Sequence, residues 1–269
     1  MMTMRDAGHR APLPHSLRNK GTDMKLSIAS VLTAALLVTS PVLAAGGGYL
    51  KKHDFSFDGM FGAYDQGELQ RGYQIYEQVC AACHGMKHVP FRSLGAHDGP
   101  GFGDAEVKAI AANFEVADEE GEPGDTRPAK PFDYFPTPLA AGNPPDMSLL
   151  AKARSGGPLY IYSILLSYTG EEKEVGGAYL YENKAYGGYF GMAQPLYAGD
   201  VEYSDGTPET LEQYSNDLSA FLMWAAEPKL VERKQAGVWS LGFLILFATL
   251  VWFTNRKVWA KVKHPEDHA

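Results

Sequence analysis

Cysteine is nearly missing from this 269-residue chain, which holds only Cys80 and Cys83. That excludes a small secreted scaffold built on several disulfides. Basic charge is short as well, with 24 Lys and Arg against 32 Asp and Glu and a net charge of -8. Such a chain is a poor partner for nucleic acid, but it can draw a basic protein toward itself by long-range attraction. Long apolar runs are few. Past residue 44 only Gly237 to Thr254 offers one, which excludes a polytopic membrane protein. Hydrophobic residues make up 45% and charged ones 21%, too apolar a balance for a disordered chain. What is abundant is Gly (29), Pro (17) and Tyr (15), which points to a loop-rich fold in which a cofactor fills part of the core.

The two cysteines stand in Cys80-Ala81-Ala82-Cys83-His84. This spacing is the attachment signature of c-type haem. On a helix the two thiols share one face, one turn apart, where each can add to one vinyl group of haem and leave a thioether. His84 then stands beside the porphyrin as the proximal iron ligand. A thioredoxin-type thiol pair and half of a zinc site are the other readings. Zinc needs two more ligands, and none is evident at suitable spacing.

Residues 1–44 read as a targeting segment. Lys25 leads into an apolar run, Leu26 to Leu43, ending in the small-residue pattern Val42-Leu43-Ala44 that signal peptidase cleaves. Met24, beside Lys25, is the expected initiator, and an N-terminal membrane anchor is the alternative. Removing residues 1–44 deletes five Lys and Arg and two Asp and Glu, taking the net charge from -8 to -11.

The haem-bearing helix is expected to begin near Asp65, with Glu68 completing a capping box. Leu69, Tyr73, Tyr76, Val79, Cys80 and Cys83 give it one apolar face. Met86 to Arg92 would run along the porphyrin edge, and His88 and His97 read as surface histidines. Asp104 to Val116 is expected as a short amphipathic helix. The acidic turn 118–125 is either a solvated loop or part of a docking surface for a basic redox partner. Pro144 and Pro145 present a rigid apolar edge, and Asp146 or Ser148 can cap the helix after them. Arg154 is a candidate partner for a haem propionate or an ordinary exposed arginine. Leu159 to Leu166 should pack as a helix against the haem helix, followed by an acidic patch, Glu171 to Glu174.

The stretch Tyr186 to Leu196 combines glycines, which let backbone approach a flat cofactor, with aromatics that can wall it. Met192 in its middle can offer a thioether to the open face of the iron. Met86 stands too near His84 for that, Met147 directly precedes a helix, and Met223 has core spacing, although methionine is often core filler anywhere. Thr207-Pro208-Glu209 marks the start of a last soluble helix. Gly237 to Thr254, with Trp239 and Trp252 near its ends, is expected as a single transmembrane helix. Arg256, Lys257, Lys261 and Lys263 then form a cytoplasmic tail, an orientation that rests on the export signal more than on charge counts.

Taken together, these residues resemble the cytochrome c1 family, the haem subunit of the cytochrome bc1 complex, in its bacterial form. The resemblance rests on Arg71-Gly72 through Tyr76 to Cys80-Ala81-Ala82-Cys83-His84, on Phe91-Arg92-Ser93-Leu94, and on Pro144-Pro145-Asp146-Met147-Ser148. Gly191-Met192-Ala193, Pro195-Leu196 and Asp217 to Pro228 complete it. It implies a mainly α, class I-like cytochrome c domain with long loops plus one C-terminal transmembrane helix. The implied boundaries are a targeting segment at 1–44, a periplasmic haem domain at 45–232, an anchor at 233–256 and a cytoplasmic tail at 257–269. One covalent haem c would be held by Cys80 and Cys83, with His84 and Met192 as axial ligands, Arg154 on a propionate, and Pro144 and Pro145 as pocket wall. The implied role is one-electron transfer from a Rieske iron–sulfur protein to a soluble or anchored cytochrome c. Cytochrome b would be a further partner in a dimeric inner-membrane complex that oxidises quinol and translocates protons. Some bacterial relatives carry an extra cysteine pair before the axial methionine. This chain has none, so packing must steady its distal loop. Another anchored cytochrome c, or a gas-binding sensor or peroxidase-like enzyme with an open sixth site, are the alternatives.

Overall fold

A computed structural model describes residues 48–118, 120–140 and 142–263. The segment 1–44, expected from the sequence to be a targeting segment, lies outside them. Helix α1 (Gln66–Ile75) starts where the sequence places it, because Asp65 Oδ1 accepts the Glu68 N–H at 2.9 Å. The reciprocal half of the expected capping box is replaced: the Glu68 carboxylate accepts from Ser56 Oγ and Asn216 Nδ2. A π-helical turn, Tyr76–Cys80, continues α1, closed by the Ala81 N–H on Tyr76 O at 2.8 Å.

A 3₁₀ turn (Phe91–Gly95) and α2 (Asp104–Ala112) follow. The helix expected as far as Val116 stops at Ala112, because the next residues join strand β1 (Glu115–Ala117), paired antiparallel with β2 (Thr126–Pro128). The acidic turn 118–125 is the connection of that hairpin. Helix α3 (Leu150–Ala153) has Leu149 at its N-cap with no side-chain bond, since Asp146 and Ser148 are engaged elsewhere. Helix α4 (Pro158–Leu165) enters from Gly156 and Gly157, both at positive φ. It packs on helix α5 (Leu211–Ala226) rather than on α1, whose buried face is already covered by α5 and an aromatic cluster.

The expectation of a mainly α fold is corrected between α4 and α5. Strands β3 (Tyr168–Val175), β4 (Ala178–Asn183) and β5 (Gly188–Phe190) form an antiparallel sheet in sequence order. Gly176 and Gly177, at φ 62° and 82°, make the two-residue turn between β3 and β4, the conformation that fits the twist of a hairpin. The acidic patch 171–174 is therefore one strand of this sheet. Helix α5 begins after Thr210, whose hydroxyl accepts the Gln213 N–H, three residues later than Thr207 suggests. Glu209 is held outside the helix because its carbonyl and carboxylate take the N–H groups of Gly199 and Tyr203.

α1 and α5 cross at Gly72, where an added Cβ would lie 2.1 Å from Asp217 O and 2.6 Å from Phe221 Cβ, so only glycine allows this approach. Beside the crossing, Arg71 Nε donates to Asp217 Oδ2 at 2.8 Å, and Asp217 is fully buried. Tyr73, Tyr76, Phe91, Phe135 and Phe221 fill the core around it. After α5 only Glu227-Pro228-Lys229 intervene before α6 (Leu230–Lys263), 34 residues or about 51 Å long. Glu227 is locked by Lys152 Nζ at 3.0 Å and Arg233 Nε at 2.5 Å. α6 outruns the expected anchor at both ends, and it is long and apolar enough to cross a membrane.

Candidate functional site

A mostly apolar cavity of about 700 Å³ lies between the π-helical turn, the segment 142–150, α4, α5 and the segment 190–195. Its volume is in the range of sites that hold a small-molecule cofactor. The π-helical turn hands Cys80 to the cavity and buries it, while Cys83 stays exposed, and the two thiols are not joined. Such turns recur at functional sites because the inserted residue re-aims side chains. The His84 and Cys83 N–H groups both donate to Cys80 O, at 2.8 and 3.1 Å, so the three residues form one tight turn.

His84 is held from two sides. Its carbonyl accepts the Tyr76 hydroxyl at 2.9 Å, and its Nδ1 meets Pro145 O at 2.8 Å. A backbone carbonyl can only accept, so Nδ1 carries the proton and Nε2 is left as a ligand atom. The neighbouring chain is stitched to the same segment: the Met147 N–H donates to Gly85 O at 2.8 Å, the Lys87 N–H to Asp146 Oδ2 at 3.0 Å and the His88 N–H to Ser148 Oγ at 3.0 Å. Burial opposes the charge on Asp146, but hydrogen bonds from Ser148 and Lys87 outweigh it and hold the carboxyl below its ordinary range. Gly85 must be glycine, because a Cβ there would lie 2.6 Å from Pro136 O.

Met192 reaches the cavity from beyond β5. The Tyr168 hydroxyl, from the start of β3, donates to Met192 O at 3.1 Å, and Phe190 stacks between Tyr168 and Tyr186. A sheet and a tyrosine thus steady the distal segment, where the sequence pointed to packing alone. Met147 lines the cavity too, but its bond to Gly85 ties it to the histidine side. Pro144 and Pro145 form cavity wall, and Arg154 stands exposed at the rim. His88 and His97 are exposed and do not line the cavity.

The structure therefore brings Cys80, Cys83, His84, Met192, Arg154, Pro144 and Pro145 to one cavity. Sequence reasoning did not single out the hydroxyl of Tyr76, Tyr168, the Asp146–Ser148 stitching, or Leu218 and Leu222 of α5 in the wall. The tyrosine roles depend on a π-turn and a strand pairing that leave no mark in spacing. Asp146 and Ser148 could have been found from their polar side chains beside a rigid proline pair.

The donor chemistry fits a haem. Burial, with the neighbouring Cys83 adding to it, pushes the Cys80 thiol up to about 12. Thiol redox catalysis needs the opposite, a thiolate near neutral pH, whereas a neutral thioether suits an apolar wall. Among the described residues no group of three His, Cys, Asp or Glu side chains converges as a metal cluster would.

Comparison with known proteins agrees. The Cytochrome C1 family model matches residues 55–262. Cytochrome c1 of Cereibacter sphaeroides is 40% identical over 279 positions, covering 89% of this chain and 96% of that protein. Cytochrome c1 of Rhodospirillum rubrum is 38% identical, over 88% of this chain and all of that protein. Cytochrome b/c1 of Bradyrhizobium diazoefficiens is 38% identical over 93% of this chain, which spans 42% of that longer protein. The chain belongs to the cytochrome c1 family, whose members carry one covalently attached c-type haem and serve as the electron-transfer subunit of a membrane bc1 complex.

Proposed function

We propose that Cys80 and Cys83 would hold a haem through two thioethers, that His84 and Met192 would ligate its iron, and that Arg154 would pair with a propionate. The observation that carries this is the convergence of all five side chains on one apolar cavity, with the His84 tautomer set by Pro145 O. When bound, the haem supplies one-electron transfer at its iron. The chain's own residues orient and insulate it. Pro145 O fixes the imidazole, the Tyr76 hydroxyl holds the His84 backbone carbonyl, and the Met192 thioether would favour the reduced iron and so raise the potential. Leu218, Leu222, Pro144 and Pro145 keep water from the wall. No substrate bond is made or broken.

Residues 45–232 would form the haem domain on the periplasmic side, with the anchor at 233–256 inside the longer helix α6 and the tail at 257–269 in the cytoplasm. Electrons would enter from a Rieske iron–sulfur protein and leave to a cytochrome c, soluble or anchored, in a dimeric complex that oxidises quinol and moves protons. A relative named cytochrome b/c1 supports cytochrome b as the membrane partner. The net charge of -8 supports a basic acceptor.

The test is an optical spectrum of the membrane-extracted protein, oxidised and reduced, with and without carbon monoxide. A c-type reduced spectrum unchanged by carbon monoxide supports a closed His84/Met192 carrier, and ready binding of the gas overturns Met192 as a firm ligand. Turnover with soluble cytochrome c should fall as salt rises; no dependence on salt overturns acceptor steering by the acidic surface.

A further inference from the structure

Among the exposed apolar side chains of the haem domain, Met60 and Phe61 differ in how they are anchored. They are 60% and 85% exposed. They form the tip of a tight turn whose base is fixed in the core, where Phe55 and Phe57 are buried and stack at 5.0 Å. The Asp58 N–H donates to Phe55 O, Asp58 Oδ2 accepts the Phe55 N–H, and Gly59 turns the chain at φ 71°. The return is so close that a Cβ on Gly62 would lie 1.9 Å from Asp58 O.

The neck of this turn is clasped by the membrane helix. Lys234 Nζ of α6 donates to Phe57 O and to Gly62 O, the latter at 3.2 Å. Two residues on, the Tyr64 hydroxyl donates to Glu227 O at 3.0 Å, just before α6 begins. The charge-free part of α6, Gln235 to Asn255, starts directly after Lys234. At 1.5 Å per residue it is about 31 Å long, which matches the hydrocarbon thickness of a bilayer. Lys234 therefore stands at the edge of the hydrocarbon, and it holds the turn at that level.

We infer that the Gly59–Phe61 tip is a membrane foot, with Met60 and Phe61 seated in the headgroup–acyl boundary of the leaflet on the haem-domain side. The occupant is lipid rather than protein on grounds of area. A specific protein interface takes about 800 Å² from each partner, and two side chains between Asp58 and two glycines offer a small part of that. The bilayer boundary demands no complementary pocket, and it continues from the exposed surface of α6. A single helix gives the domain one point of attachment to the membrane. A second contact at the root of the helix fixes its height. The inference rests on α6 spanning the membrane.

The experiment replaces Phe61 with the photocrosslinker p-benzoylphenylalanine in the full chain, assembled in its complex and reconstituted in vesicles of phosphatidylcholine and phosphatidylglycerol. Parallel probes replace Met60, Leu246 in the middle of the span, and Leu139 on an exposed loop. A wild-type haem spectrum checks that each variant is folded. After illumination, the mass of one phospholipid on probes 60 or 61 and on probe 246, but not on probe 139, supports the foot. Crosslinks from 60 and 61 to a polypeptide, or none, beside a lipid adduct at 246, overturn the foot alone. An adduct at 246 to a membrane subunit reports the span equally well, and no adduct at 246 to either lipid or a membrane subunit overturns the spanning reading and the foot with it.

Discussion

Replacing Arg71 with Met tests the junction on which the haem cavity is built. Asp217 is fully buried, and Arg71 grips both its oxygens, Nε on Oδ2 at 2.8 Å and Nη2 on Oδ1 at 3.3 Å. Burial pulls the Arg71 pKa down, but hydrogen bonds and charge from Asp217 and Asp205 outweigh this and raise it. Arg71 therefore stays charged under all ordinary conditions. Removing one partner of a buried pair strands a charge, at a cost of about 3–5 kcal/mol. Three other donors still reach Asp217: Tyr203 Oη at 3.0 Å, Gln213 Nε2 at 2.9 Å and Asn216 Nδ2 at 3.2 Å. They place the loss near the lower end, about 3 kcal/mol. The second partner, Asp205, is exposed and adds little. For a domain of this size 1 kcal/mol moves the melting point by about 2–4 °C, so Arg71→Met should melt roughly 6–12 °C lower. The assay is thermal loss of the haem Soret band in the intact complex. A double variant, Arg71→Met with Asp217→Leu, strands no charge and should lose clearly less than the two single losses added together. A single variant that melts within about 2 °C of the parent, or a double variant whose loss is additive, would refute the reasoning.

Gly72→Ala forces α1 and α5 apart, because its new methyl meets backbone at 2.1 Å; the same melt should show a loss of about 1–3 kcal/mol or more. Met192→Leu should leave a haem that binds carbon monoxide and has a lower reduction potential, read by spectrum and redox titration. The lowered pKa of Asp146 means its stitching is fully present above the ordinary aspartate range near pH 4 and is lost as pH falls through the lowered value. The haem spectrum should therefore hold steady from about pH 7 to 5 and change only in stronger acid. In Asp146→Asn that acid step should shrink, because the group no longer titrates.

The attachment motif was legible because it is linear: five adjacent residues carry the whole signal, and Asp65 announces its helix by a local cap. The apolar C-terminal run was equally plain, since it depends on composition alone. Met192 came from elimination among a few methionines. The sheet was not legible. Glu171 to Glu174 shows no alternation of apolar and polar residues, since β3 lies exposed and owes its shape to pairing with β4. The partner of α4 was illegible for a related reason. Its apolar residues report that it is buried, and only the crossing at Gly72 decides what is left for it to cover. The late start of α5 was hidden because Glu209 serves the 199–203 loop before it can serve a helix.

The joint between the haem domain and its membrane helix has a mechanical consequence. Three residues, one of them proline, link α5 to α6, and Glu227 is bound at once by Lys152 from α3 and Arg233 from α6. There is no tether here to pay out. So short a joint gives the domain no reach for a hinged swing away from the root of α6. On the proposed role as an electron relay, a joint this short and ion-paired would require donor and acceptor to come to this domain, with any long-range movement supplied by the partners.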